Sequence, residues 1–187
     1  MTILLIVVVV LVLLIPVFMY NSLIGKRNQV DSVFSTIDVM LKKRYDLIPN
    51  LVESVKGYMR HERETLERIA QLRTQAINSR TEAEKVAADN QIAGPLRQLM
   101  VAVEAYPELK ANENFLQLQG SLNEVEEQIS AARRAFNAAV LQYNNAVQMF
   151  PTSIIAGMMR LQTRAFFAAP PEEREAVRVT FSDGVAR

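Results

Sequence analysis

The chain has no cysteine, no tryptophan, a single histidine and only six glycines among its 187 residues. Without thiols there are no disulfides, no thiol catalysis and no cysteine-based zinc sites. The lone His61 would need a second strong ligand three or four residues on to hold a metal on a helix. Glu64 and Thr65 stand at those positions, so a solvated surface histidine is the better reading. There is no glycine-rich phosphate loop, no Ser-His-Asp set and no nucleophile elbow. The carboxylates Glu53, Glu62, Glu64 and Glu67 read as a solvated helix face, and the narrow apolar seams leave no expected pocket. Charge of one sign is lacking too. Lys+Arg number 21 against 20 Asp+Glu, a net charge of +1, which gives no field to recruit nucleic acid. The expectation is no enzyme, no cofactor, no metal and no small-molecule substrate.

What the chain does have is one long hydrophobic run. From Ile3 to Met19 no charged or strongly polar side chain occurs. As a helix this run spans ~26 Å at the standard rise, close to the ~30 Å hydrocarbon core of a bilayer. Ile3, Val10, Leu14 and Phe18 lie within it, Pro16 is tolerable near its end, and Tyr20 suits the interface. A cleaved signal peptide would want basic residues before a shorter core and small residues at the cut. Phe18-Met19-Tyr20-Asn21 offers none, so a retained anchor is expected. Lys26 and Arg27, then Lys42, Lys43 and Arg44, follow the run. Basic residues near a span favour the cytoplasmic side, so the expected orientation is N-terminus outside and bundle inside.

Beyond the anchor the pattern is helical. Val30, Phe34, Ile37, Leu41 and Ile48 make one stripe, with Leu23 and Arg27 on its membrane-proximal extension. A continuous helix through Gly25 is preferred over a bend, since one glycine costs only ~1 kcal/mol against alanine. Asp46 is a candidate cap for a second helix, with Pro49 in its first turn and Leu51, Val55, Tyr58, Leu66, Ile69 and Leu72 on its face. Thr81-Glu82-Ala83-Glu84 starts a third helix. That helix carries Ile92, Leu96, Leu99 and Val103, with Gly94-Pro95 expected to kink or split it. Asn112 or Asn114 caps the longest soluble helix. Phe115, Leu118, Leu122, Val125, Ile129, Ala132, Phe136, Ala139, Tyr143, Ala146 and Phe150 alternate along it in a coiled-coil seam. Asn137, Asn144 and Asn145 lie on or beside that seam, either fixing register through buried hydrogen bonds or facing water.

Pro151 stops this helix. Ile154, Ile155, Met158, Met159, Phe166 and Phe167 then make a very apolar stretch, a candidate assembly or lipid surface. Val177-Arg-Val-Thr-Phe181 alternates like a short strand. The fold class is therefore all-α: a transmembrane helix continuing into a long antiparallel bundle of three or four helices, then a short amphipathic segment and tail. The domains are 1–20 anchor, 21–150 bundle and 151–187 C-terminal segment. Arg27, Asn28, Asp38, Arg44, Asp46, Pro49 and Asn50 are candidate structural or assembly residues.

Several runs together resemble the LemA family. They are Tyr20-Asn21 with Arg27-Asn28-Gln-Val30, Ile37-Asp38-Val-Met-Leu-Lys-Lys-Arg44, and Asp46-Leu-Ile-Pro-Asn-Leu-Val-Glu53 with Val55-Lys-Gly-Tyr58. Later come Ala105-Tyr-Pro-Glu-Leu-Lys-Ala-Asn112 and Phe150-Pro-Thr-Ser-Ile-Ile-Ala156. Phe34 departs from the tryptophan that members often carry, and Gly94-Pro95 interrupts a helix that is usually unbroken. The resemblance implies a bacterial membrane-anchored protein with a long-helix bundle, and it brings no catalytic residue set; the expected place is the bacterial inner membrane, crossed in a single pass.

The function these readings support is a non-enzymatic, membrane-anchored protein that self-assembles into a homo-oligomer and scaffolds or shapes membrane. Its partners would be membrane lipids and copies of itself. The alternative is a monomeric membrane-tethered adaptor for a membrane-protein partner, such as a protease or an envelope-stress protein.

Overall fold

The computed structural model describes residues 1–59 and 61–167, with the backbone alone at Leu4 and at 7–12. Among the described residues the helices are α1 (Thr2–Lys56), α2 (Arg63–Asn78), α3 (Glu82–Val103), α4 (Pro107–Lys110), α5 (Glu113–Gln148) and α6 (Thr152–Met158). At the standard rise the 55 residues of α1 reach ~82 Å. This helix runs unbroken through Gly25, and also through Pro16 and Pro49.

The break expected at Asp46–Asn50 does not occur. Pro49 has no N–H to give the carbonyl of Tyr45, four residues back. Arg73 of α2 supplies the donor instead: its Nε bonds the Tyr45 carbonyl oxygen at 2.7 Å. Asp46 does not cap a helix but pairs with Lys42 at 2.6 Å on an exposed face. The chain turns later, after Lys56. Leu51 and Val55 therefore belong to α1, while Leu66, Ile69 and Leu72 belong to α2. Tyr58, expected on the buried face, is 38% exposed, and Met59 is buried in its place.

Two helix starts are as the sequence indicates. Thr81 accepts from the Glu84 N–H, while Glu84 accepts from the Thr81 N–H, a complete capping box on α3. Asn112 accepts from Phe115 N–H at 3.1 Å and caps α5. Gly94-Pro95 does not split α3. The Phe150–Pro151 peptide is cis.

The helices pack around α1, which touches α2, α3, α5 and α6. The α1–α5 pair is antiparallel, with Arg44 against Glu126 and the ring of Phe34 5.7 Å from that of Phe136. α2 returns beside α1. α3 then runs parallel to α1, as Lys85–Asp38 and Asp89–Arg44 show. Ile37, Leu41, Ile48, Val55, Ile69, Ile92, Leu99, Phe115 and Ile129 are almost wholly enclosed. Each such side chain contributes roughly 1.5–3 kcal/mol by leaving water. Leu23 joins this core, but Arg27 does not continue the stripe and is exposed.

Among the described residues no helix is long and apolar enough to cross a membrane. Within the run Ile3–Met19 the side chains of Leu4 and 7–12 lie outside the described residues. The strand-like Val177–Phe181 lies outside the described residues.

Candidate functional site

Three helices meet in a buried charge cluster. Arg44 of α1 and Asp89 of α3 are both fully enclosed and paired through Nη2 and Oδ1. Arg44 Nη1 donates to Glu126 Oε1 of α5 at 2.8 Å. The second oxygen of Asp89 takes Nη2 of Arg133, also from α5. Two cations and two carboxylates alternate, so the quartet is neutral while its members hold three helices in one register. Removing one partner would strand a buried charge, the costly case for buried ion pairs. Burial pushes the neighbouring Tyr45 hydroxyl above its ordinary value of 10.0, against the lowering field of Arg44.

Arg44 was a candidate from sequence; Asp89, Glu126 and Arg133 were not. Asp89 had a signal. It precedes Ile92 by three and Leu96 by seven, a carboxylate on the apolar stripe of α3. Glu126 and Arg133 flank the α5 seam and look like ordinary surface charges until the fold brings α3 across.

An open cleft of ≈ 440 Å³ lies between α3 and α5 beside this cluster. Leu96, Arg97 and Met100 form one wall, and Asn123, Glu126 and Arg133 stand on the other. The expectation that a narrow bundle leaves no pocket is therefore corrected. α5 packs on α1 while α3 packs chiefly on α2, not on α5, and that leaves the gap. Glu126 is already engaged by Arg44, and Glu127 is the second carboxylate on the cleft's wall. No cluster of three or more metal-ligating side chains occurs among the described residues.

The second feature is a clamp on the segment after α6. Asn144 of α5 donates to the Arg164 carbonyl at 2.9 Å and accepts from the Arg164 N–H at 2.8 Å. Asn137 does the same to Phe167, at 3.0 and 2.8 Å. Seven residues of helix advance ~10.5 Å, and three residues of extended chain advance ~10 Å. The two repeats match, so two asparagines a heptad apart can hold an extended chain as a neighbouring strand would. Tyr143 adds a bond to the Gln162 carbonyl at 3.0 Å. The question left open for Asn137 and Asn144 is answered: they bond buried backbone.

Phe167 is corrected by this clamp. It is not an assembly surface but a core residue, set edge-on to Phe136 and under the Arg133 guanidinium at 4.8 Å. Ile155 and Met159 are half-buried. Ile154 (57%), Met158 (78%) and Phe166 (51%) remain exposed. Phe150, the last position of the expected seam, is 80% exposed. It falls beyond the end of α5, past the last residue that the seam holds in the helix.

The other sequence candidates scatter. Arg27, Asn28, Asp46, Pro49 and Asn50 are exposed. Asp38 is half-buried against Lys85 at 2.6 Å. Ile3, Leu14, Pro16, Phe18 and Tyr20 are exposed along α1, and the side chain of Val10 lies outside the described set.

The LemA family profile matches residues 33–181, most of the chain. The chain belongs to the LemA family. Protein LemA of Metamycoplasma hominis is 29% identical over 155 residues, covering 82% of this chain and 71% of that protein. Magnetosome protein MamQ 2 of Paramagnetospirillum magneticum is 22% identical over 182 residues, covering 81% of this chain. Magnetosome protein MamQ of Magnetospirillum gryphiswaldense is similar to the same extent. The chain spans 65% of the length of these magnetosome proteins. The matched region begins at Val33, partway along α1, and takes in the quartet and the asparagine clamp.

Proposed function

We propose that this LemA-family chain is a non-enzymatic, membrane-anchored bundle that self-assembles into a homo-oligomer and scaffolds or shapes the membrane. The observation that carries the reading is the unbroken α1. The apolar run Ile3–Met19 and the central helix of the bundle are one element, so whatever holds the run also orients the bundle. Two sequence MamQ relatives named as magnetosome proteins fit a role at an organised membrane. The family resemblance supports the bacterial inner membrane as its place, and Lys26 and Arg27 support a cytoplasmic bundle.

Particle mass and shape in lipid nanodiscs test this reading, comparing the full chain with a variant beginning at Asn28. A discrete large particle that collapses in the shortened variant is the expected result. Uniform monomers in both would end the scaffold reading. They would favour the second one, a monomeric tethered adaptor, for which the open α3–α5 cleft is a natural seat.

A further inference from the structure

The register of α1 and α5 fixes the height of the corner that follows α5. Arg44 stands against Glu126 and Phe34 against Phe136, so ten residues back along α1 match ten forward along α5. Twelve further steps set Gln148 level with Ser22, just past Tyr20 and the apolar run. There α5 ends, Met149 caps it, and α6 turns back to pack on both α5 and α1.

This corner gathers four exposed apolar side chains within ten residues of chain. Met149 is 60% exposed, Phe150 80%, Ile154 57% and Met158 78%. By the same register Phe150 falls level with Tyr20, itself exposed. Basic side chains follow both stretches in sequence: Arg27 and Arg160 are exposed and Lys26 half-buried. Arg160 directly follows α6, in a left-handed turn at φ 53°. Apolar side chains backed by cations are what an interfacial element presents to a bilayer.

We propose that the α5–α6 corner is a second membrane contact. Met149, Phe150, Ile154 and Met158 enter the headgroup–acyl boundary beside α1, while Arg27 and Arg160 meet anionic headgroups. This rests on the proposed insertion of Ile3–Met19 and adds a site to it. The occupant is lipid and not a second copy of the chain, because the register sets the end of α5 at the level where the apolar run of α1 ends. With two contacts the bundle is fixed in tilt and rotation, where a single helix would leave it free to swing.

The chain lacks cysteine, so single cysteines can report position. Phe18→Cys, Ile154→Cys, Met158→Cys and Val101→Cys would each carry a bimane label in the full chain. Val101 is 68% exposed near the far end of α3. Vesicles of phosphatidylglycerol and phosphatidylcholine would carry a nitroxide at a shallow acyl position. The expected result is loss of emission at 18, 154 and 158 and none at 101. Loss at 18 without loss at 154 and 158 overturns the corner and leaves the anchor standing. Loss at 154 and 158 without loss at 18 keeps the corner and removes the anchor. Shielding of 154 and 158 from both nitroxide lipid and aqueous iodide means a protein covers the patch, which also overturns the proposal.

Discussion

Arg73 Nε donates a 2.7 Å hydrogen bond to the carbonyl oxygen of Tyr45, the acceptor that Pro49 leaves without its helical partner. The bond explains how a helix passes a proline at mid-length, and it ties α2 to α1 at that point. Arg73→Ala should cost about 1.5–3 kcal/mol, the range for a hydrogen bond from a charged donor. In a Pro49→Ala background the backbone N–H is restored, so the same change should cost clearly less. A double-mutant cycle by thermal unfolding reads the difference; equal costs in both backgrounds would separate Arg73 from the proline.

Asp89→Ala leaves Arg44 enclosed without its buried partner. The expected loss is about 3–5 kcal/mol. Replacing both, Arg44→Leu with Asp89→Leu, should recover much of it, because Glu126 and Arg133 reach the cleft and can be hydrated. Circular dichroism melts of the two variants check this. A double variant weaker than the single one would mean that the quartet's charges, and not their balance, hold the bundle.

The asparagine clamp predicts local, not global, opening. Asn144→Ala removes both bonds to Arg164, a net ~2 kcal/mol at ~1 per bond. The Arg164 amide should then exchange with solvent roughly thirtyfold faster, at a factor of ten per ~1.4 kcal/mol. Exchange within α3 should not change. Unaltered protection at Arg164 would show that packing of Phe167 alone holds the segment.

The N–H groups of Arg80 and Thr81 hold the Glu84 carboxyl below its ordinary 4.5. A depressed carboxyl contributes stability above its unfolded value, and this is lost as pH falls through the folded one. Destabilisation of α3 should therefore set in below pH 4.5, and Glu84→Gln should flatten that limb. Tyr106 is the opposite case: its bond to Glu62 at 2.9 Å raises its hydroxyl above 10.0. That contribution is present below pH 10 and disappears as pH rises through the folded value, so Tyr106→Phe should flatten the alkaline limb.

Much of the fold is legible in the sequence because it rests on local signals. Thr81 with Glu84, and Asn112 before Phe115, mark helix starts through bonds made within three residues. The seam from Phe115 to Tyr143 marks the long partner of α1 by period alone. Pro49 misleads for a physical reason: the donor that rescues Tyr45 comes from Arg73, in another helix. Asp89 could have been found as a carboxylate on an apolar stripe. Glu126 and Arg133 could not, because their partners, Arg44 of α1 and Asp89 of α3, are brought to them only by the fold. Asn137 and Asn144 showed their spacing, but not the extended chain that they hold.

The central claim is that α1 carries the apolar run into the bundle as one rod. Spin labels at Tyr20→Cys and Glu53→Cys, both exposed, measure it in the full chain in nanodiscs. An unbroken helix between them predicts a single narrow distance near ~50 Å, from 33 steps at the standard rise. A short or broad distribution would place a hinge at Gly25 or Pro49, and would contradict the account.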